Sequence, residues 1–254
     1  MIRLLDVSLD TPEENLAMEE ALWNELEHAG EGRSGTLRFW ESRRYFVVLG
    51  YSGRPEQEVR GEACEQAGVP VLRRITGGGA VLQGPGCLNY TLALSLEAYP
   101  ALRDVRRSLG LILGKVRAAL GLEGIAIRGL CDLALNERKI SGNAQRRGRR
   151  TLLHQGTLLY NFDAALVERY LQEPPRQPDY RRGRRHVEFM GNLPVGPQEI
   201  KRRLACEEWW TWRDSNSRPL PCHLRNINHL QTAALKTKDL AGGGVDAIWT
   251  PRRP

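Results

Sequence analysis

No apolar run in this 254-residue chain approaches the roughly 20 residues that a helix needs to cross a bilayer, which argues against a helical membrane protein. The start, Met1-Ile2-Arg3-Leu4-Leu5-Asp6, lacks the long apolar core and small-residue cleavage site of a secretory signal, so the expected location is the cytoplasm. Cysteine is sparse. Cys64, Cys87, Cys131, Cys206 and Cys222 are odd in number and widely scattered, which argues against a disulfide framework, and no CxxC pair suggests zinc, so no metal ligands are assigned. The GxxxxGK[ST] and GxGxxG spacings of common nucleotide-binding loops are absent, and no internal repeat is visible.

What is present describes an ordinary globular chain. Hydrophobic residues make up 41% and charged residues 26%, too balanced for wholesale disorder. The length fits one large domain, or one domain with an appendage. A formal charge of +7 attracts nucleic acid, acidic proteins or phosphorylated ligands without choosing among them. Two arginine-rich clusters stand out: Arg138, Lys139, Arg146, Arg147, Arg149 and Arg150, and then Arg176, Arg181, Arg182, Arg184 and Arg185. Most such residues form solvated faces; the sharper reading is a docking surface for an acidic partner or an anionic substrate.

Thr11-Pro12-Glu13-Glu14 predicts a capped helix start, followed by Met18, Leu22 and Leu26 at four-residue spacing and a stop at Gly30. Strands are expected over 37–40 and 45–49, a helix from Pro55 to Gly68 with Val59, Ala63 and Ala67 on one face, and a short strand over 69–73. Leu88, Tyr90, Leu92, Leu94 and Leu96 alternate along a strand. Residues 102–120 read as the longest helix, with Leu109, Ile112, Leu113, Val116 and Leu120 buried and Gly121 closing it. Four β-rich segments follow, over 125–127, 130–135, 139–145 and 152–160, with a turn at Asn136-Glu137. Helices and strands do not alternate regularly enough for a doubly wound sheet, so the expected class is α+β with a mixed or antiparallel sheet flanked by helices. A loop at Pro174, Pro175 and Pro178 and a last helix from Gly196 complete residues 1–206. Periodicity is then lost, and residues 207–254 are expected to be an appendage, poorly ordered or non-native.

Three stretches carry chemistry. In the first, Arg73-Arg74-Ile75-Thr76-Gly77-Gly78-Gly79-Ala80-Val81, a triple glycine between two strands lets backbone N–H groups approach an anion, and the arginines are suited to phosphate or carboxylate. The second, Lys139-Ile140-Ser141-Gly142-Asn143-Ala144-Gln145, puts a lysine at a strand edge before small residues, where an ammonium can neutralise developing negative charge. In the third, His154-Gln155-Gly156-Thr157-Leu158-Leu159, a histidine on a strand is either structural or placed to orient a substrate or move a proton.

Taken together and in this order, RRITGGGAV, the downstream CLNYTLAL, KISGNAQ and HQGTLLYNFD resemble the lipoate–protein ligase A family over roughly residues 1–205. The resemblance implies a class II synthetase-like core shared with biotin protein ligases. It implies an enzyme that activates lipoate or octanoate with ATP and Mg2+ as an acyl-AMP. The acyl group then passes to a lysine of a lipoyl carrier domain of a 2-oxoacid dehydrogenase or a glycine-cleavage H-like protein, with no membrane partner. The carried-over site comprises Lys139 as the catalytic cation, with Arg73, Arg74, Thr76, Gly77, Gly78, Gly79, Ala80, Asp132, Ser141, Gly142, His154, Gly156 and Thr157 binding substrate and nucleotide. Two departures stand against a full ligase: Cys131-Asp132 replaces the family's Asn-Asp pair, and the tail does not resemble an accessory domain. A second reading is therefore an ATP-independent octanoyl or lipoyl transferase using a cysteine thioester, although Cys131 is not where that nucleophile is expected. A basic nucleic-acid-binding protein is a third reading, and it leaves the glycine loop and KISG unexplained.

Overall fold

The computed structural model describes residues 2–28, 34–174 and 177–206. The helix stop expected at Gly30, the loop residue Pro175, the cluster member Arg176 and the appendage over 207–254 lie outside the described residues. The chain runs β1 (Ile2–Asp6), α1 (Pro12–Glu27), β2 (Gly35–Trp40), β3 (Phe46–Leu49), α2 (Pro55–Glu58), α3 (Gly61–Gln66), β4 (Val71–Arg73), β5 (Val81–Gln83), β6 (Cys87–Ser95), α4 (Val105–Leu120), β7 (Ile125–Arg128), β8 (Asp132–Leu135), β9 (Arg138–Arg147), β10 (Thr151–Leu159), α5 (Ala165–Tyr170), α6 (His186–Phe189) and α7 (Pro197–Leu204). No helix among the described residues is long and apolar enough to cross a membrane.

The expected α+β class forms. A seven-stranded sheet has the order β1-β2-β6-β10-β9-β8-β7, and a three-stranded sheet the order β4-β3-β5. Both are mixed: β1 runs parallel to β2 and β3 parallel to β4, and the other pairs are antiparallel. Alternation along a strand sends successive side chains to opposite faces, so the leucines of β6 divide the molecule. Leu88, Tyr90, Leu92 and Leu94 pack on the back face against Ile112, Leu113, Val116 and Leu120 of α4 and Ile200 and Leu204 of α7. Ala93 and Leu153 pack on the front face against Leu5 and, from α1, Leu22 and Leu26. The small sheet also lies toward this front, joining Val47, Leu49 and Leu82 to Cys87 and Leu159.

Local chemistry explains the boundaries. Thr11 and Glu14 form the reciprocal capping box that starts α1. Asp104 accepts from the Arg107 N–H at the start of α4, and Gly121, at φ 58°, closes it in a left-handed conformation. Asn136 and Glu137 both take positive φ, 50° and 63°, as a tight hairpin between β8 and β9 requires. The helix expected from Pro55 to Gly68 is instead broken into α2 and α3. Val59 is extended and bridges Leu171, and the Arg60 N–H donates to the Tyr170 carbonyl, so a long-range pairing overrides local periodicity.

The back face constrains one motif glycine. A Cβ at Gly156 would be driven into the Tyr90 ring and the Asn143 side chain. Gly156→Ala is expected to cost roughly 1–3 kcal/mol of stability by overpacking, read as a lower urea midpoint at unchanged m value.

Candidate active site

Alternation splits the two strand motifs between the faces. Gly142 pairs with Asp132 on one side and Thr157 on the other, in line with the front-facing Leu153 and Gln155. Ser141, Asn143, Gln145, His154 and Gly156 belong to the opposite register. Counted strictly from Gly142, Lys139 would fall on the back face with Ser141. A register shift opposite Leu133 and Ala134 prevents this. Ser141 pairs with Leu133 and Lys139 with Ala134, leaving Ile140 as the extra residue of a bulge. Bulges re-aim side chains, and this one brings Lys139 to the front. Its Nζ lies 2.8 Å from Asp132 Oδ1. A Cβ at Gly142 would sit 3.2 Å from both Lys139 Cε and Nζ, so the missing side chain leaves the lysine its path. The second Asp132 oxygen accepts from the Tyr180 hydroxyl at 2.9 Å.

The glycine loop joins β4 to β5. Its two arginines do not extend into open space. Arg73 Nη1 donates to the carbonyls of Gly50, Tyr51 and Gly53 at 2.8–3.0 Å. Arg74, half-buried, donates to Thr76 Oγ1 and to the carbonyls of Val48, Gly77 and Gly79. Burial lowers its pKa to about 10, which leaves it charged at neutral pH. Arg73 thereby ties down the turn after β3, and Arg74 ties down carbonyls of the glycine loop itself. The N–H groups of Gly77, Gly78 and Gly79 donate to nothing among the described residues, whereas that of Ala80 is held by Glu58 Oε2 at 2.6 Å. Gly78 has φ 94°, and a Cβ there would meet Arg74 Nη2 at 2.9 Å. Three consecutive amides with uncommitted donors form an anion-binding concavity of the kind backbone nests provide.

A polar chain ties this loop to the sheet. Arg74 Nε donates to Thr76 Oγ1, Thr76 donates to Gln155 Oε1, and Gln155 Nε2 donates to Glu19 of α1. Glu19 is buried and also accepts from Trp40 Nε1 at 2.8 Å and from Thr91. Burial raises its pKa, opposed by Arg38 and these donors. Because Glu19 accepts from the Gln155 amide nitrogen, the amide oxygen is turned toward the Thr76 hydroxyl. Thr157, one residue further along the front register, is occupied by Asn89 at 2.8 Å and Gln83 at 3.3 Å.

Cys131 lies where the loop and lysine regions meet: its thiol feels Asp132, Lys139 and Arg74. Desolvation, followed by Asp132, raises its pKa and outweighs the two cations, so the group is a thiol rather than a thiolate at neutral pH. A cavity of roughly 490 Å3 opens nearby but to the side, walled by Arg138, Ile140, Phe162 and Met190 and including none of the expected site residues.

Both arginine-rich clusters are largely spent on the protein itself. Arg138 donates to Val187 and Met190 carbonyls, Arg147 to Leu102 and Arg103, and Arg184 to Glu137 and Tyr180. Arg181 is buried and pairs with Glu173 at 2.7 Å. Arg146 lies over the Trp23 ring at 4.5 Å and reaches the Ile75 carbonyl. Sequence reasoning passed over Glu19, Gln155, Asn143 and Tyr180. Glu19 carried a signal, a carboxylate set in the apolar stripe of Leu16, Leu22 and Leu26; Tyr180 had none, because its partner is 48 residues away.

Ser141, Gly156 and His154 form the layer behind the site instead of its surface. Asn143 Nδ2 donates to the Cys131 carbonyl at 2.9 Å and to Ser141 Oγ at 3.1 Å, while its Oδ1 accepts from Tyr90 at 2.5 Å. His154 is fully buried between Gln145 and Asn143. Gln145 donates to Nδ1, so the proton resides on Nε2, and burial pulls the pKa down to about 3. The folded protein then binds no proton at His154 where the unfolded chain does. Stability is full above the unfolded value of 6.5 and falls as pH drops toward 3. The loss expected between pH 7 and pH 5 is about 2 kcal/mol. Urea denaturation at both pH values should show it in the wild type and a correspondingly smaller loss in His154→Gln.

The profile of the lipoyl protein ligase A/B catalytic domain matches residues 11–207. A candidate lipoate-protein ligase A of Aeropyrum pernix is 34% identical over 172 residues, 65% of this chain and 60% of that protein, so the chain spans less than two thirds of this curated relative. A crystal structure of lipoate-protein ligase A bound with ATP gives a TM-score of 0.69 at 21% identity, over 93% of this chain and 94% of that one. A bipartite lipoate protein ligase of Thermoplasma acidophilum, analysed with its E2 lipoyl domain, gives 0.69 at 22% identity, over 93% and 91%. At these identities the structural likeness is one of fold. The profile match, spanning both the glycine loop and the strands that carry Lys139 and Asp132, places this chain in the lipoyl protein ligase A/B catalytic domain family.

Proposed function

We propose that this chain, with residues 1–206 as its catalytic domain, activates lipoate or octanoate with ATP and transfers the acyl group to a lysine of a lipoyl carrier domain. The observation that carries this reading is the front-face pairing of Lys139 and Asp132 near a glycine loop whose N–H groups are uncommitted. In the first step a carboxylate oxygen of the acid attacks the α-phosphorus of ATP, and pyrophosphate leaves with the electron pair of the broken P–O bond. Two anions must approach each other, so preorganised cations and amide dipoles lower the barrier. Lys139 supplies the cation at the carboxyl, and Gly77, Gly78 and Gly79 supply amides along the acyl phosphate. In the second step the neutral amine of the carrier lysine attacks the acyl carbonyl, an amide bond forms, AMP leaves, and the amine proton passes to solvent. Mg2+ enters with the nucleotide. No group of three or more His, Cys, Asp and Glu side chains among the described residues could hold a metal, and Mg2+ is commonly held by substrate phosphates with few protein carboxylates.

The family relatives support the substrates: one neighbour binds ATP, and another is described with an E2 lipoyl domain. Acceptors of this kind occur in 2-oxoacid dehydrogenases and in glycine-cleavage H-like proteins. The thioester route is disfavoured by the protonated state of Cys131.

Lys139→Ala is expected to lower lipoate-dependent pyrophosphate exchange by about 10²–10³-fold with folding intact. Cys131→Ser is expected to keep exchange with labelled ATP and the mass shift of the lipoyl domain. No exchange in the wild type, together with loss in Cys131→Ser of an octanoyl transfer that the wild type performs from octanoyl-carrier protein, would instead identify a cysteine-dependent transferase.

A further inference from the structure

We propose that Tyr180 is a positioning residue for acyl activation, holding the Lys139 ammonium in place through Asp132. The proposal rests on the reading of Lys139 as the cation at the reacting carboxyl. A carboxylate offers two oxygens and turns freely about its side-chain bonds unless both are engaged. Asp132 is buried, but its partner across the β8–β9 ladder is Gly142, which offers no side chain to hold either carboxylate oxygen. Tyr180 provides the stop. Its hydroxyl donates to Oδ2 at 2.9 Å, leaving Oδ1 to face Lys139 Nζ at 2.8 Å.

Tyr180 is itself well fixed. Its ring packs against Phe189 at 5.0 Å between centroids. Its carbonyl accepts from Arg184 Nη2 at 2.8 Å, and the same guanidinium nitrogen reaches the Glu137 carbonyl at 3.0 Å, in the hairpin that leads to Lys139. A few residues on, the Gly191 N–H donates to the Lys139 carbonyl at 2.9 Å, so the segment that holds the carboxylate also holds the lysine backbone. Burial, reinforced by Asp132, pushes the phenol pKa up, so the hydroxyl remains a donor across the physiological range.

The consequence is a competition with a fixed geometry. An incoming acyl carboxylate must attract the ammonium away from Asp132. If Asp132 could swing freely, it would follow the ammonium and screen it. Pinned by Tyr180, it holds the ammonium at one point and releases it outward. The phenol acts through Asp132, and it lies outside all three sequence motifs.

The test uses the full chain with lipoate and Mg-ATP. Tyr180→Phe keeps the ring against Phe189 and removes only the hydroxyl. It is expected to lower kcat for acyl-adenylate formation about tenfold, the size of a lost hydrogen bond to a charged group. The KM for the lipoyl domain should not change, and the circular dichroism spectrum should remain that of the folded protein. Independently of turnover, reductive 13C-methylation of lysines gives an NMR signal for Lys139, assigned by its loss in Lys139→Ala. Tyr180→Phe should displace that signal, and should displace it no further in an Asp132→Asn background. A wild-type kcat with an unmoved signal in Tyr180→Phe, while Lys139→Ala is inactive, overturns the role of Tyr180 alone. A Lys139→Ala variant with wild-type exchange overturns the underlying reading of the site.

Discussion

Which face of the sheet Lys139 occupies decides whether this protein has a site at all. A strand has a strict period of two, and the front and back of the large sheet differ completely in content. Behind it lie α4, α7 and a closed polar network; in front lie α1, the small sheet and the glycine loop. One extra residue in β9 moves Lys139 across this divide and leaves Ile140 and Ser141 buried. Gly142 then becomes necessary for a second reason, since the lysine must pass over it to reach Asp132. The two small residues of the KISG stretch therefore serve different faces, one filling space behind the sheet and the other vacating space in front.

The same division explains what could be read in the sequence. Alternation of Leu88, Tyr90, Leu92 and Leu94 was legible because the opposite face of this wholly buried strand carries Asn89, Thr91 and Ala93, so the period shows in residue type. Caps at Thr11 and Gly121, and the turn at Asn136-Glu137, are local chemistry and equally visible, whereas the cap at Asp104, which starts α4 at Val105 and not at 102, was not read. The bulge was not legible. It inserts no glycine or proline, and Lys139-Ile140-Ser141 reads as uninterrupted strand. The break at Val59 was hidden for another reason: the residue is a sound helix-face valine until Leu171, far along the chain, offers it a bridge. Arginine is the hardest case. A guanidinium that meets a phosphate and one that meets three carbonyls have the same spelling, so the carbonyl-anchoring part of Arg73 and Arg74 could not be read from the sequence.

Buried polar chains hold the site from both sides. In front, Glu19 fixes the sense of the Gln155 amide and thereby of Thr76 at the mouth of the loop. Behind, a neutral His154 and Tyr90 fix Asn143, which holds the Cys131 carbonyl beside Asp132. Such networks are costly when a member is lost, because a buried polar group left without a partner keeps its full desolvation penalty. Precision at the lysine and the loop is thus supplied by hydrogen bonds within the protein, on both faces of the sheet.

The arginine anchors carry a further consequence. By engaging the carbonyl ends of the peptides at Gly77 and Gly79, Arg74 orients those peptide dipoles, and its charge is committed before any ligand arrives. Recognition by this loop then depends on dipoles acting at close range more than on free cations acting across solvent. Dissolved salt screens mobile surface charges far more effectively than enclosed contacts. An anion held by amides of this kind would be gripped at short reach, with a weaker dependence on ionic strength than one held by mobile surface cations.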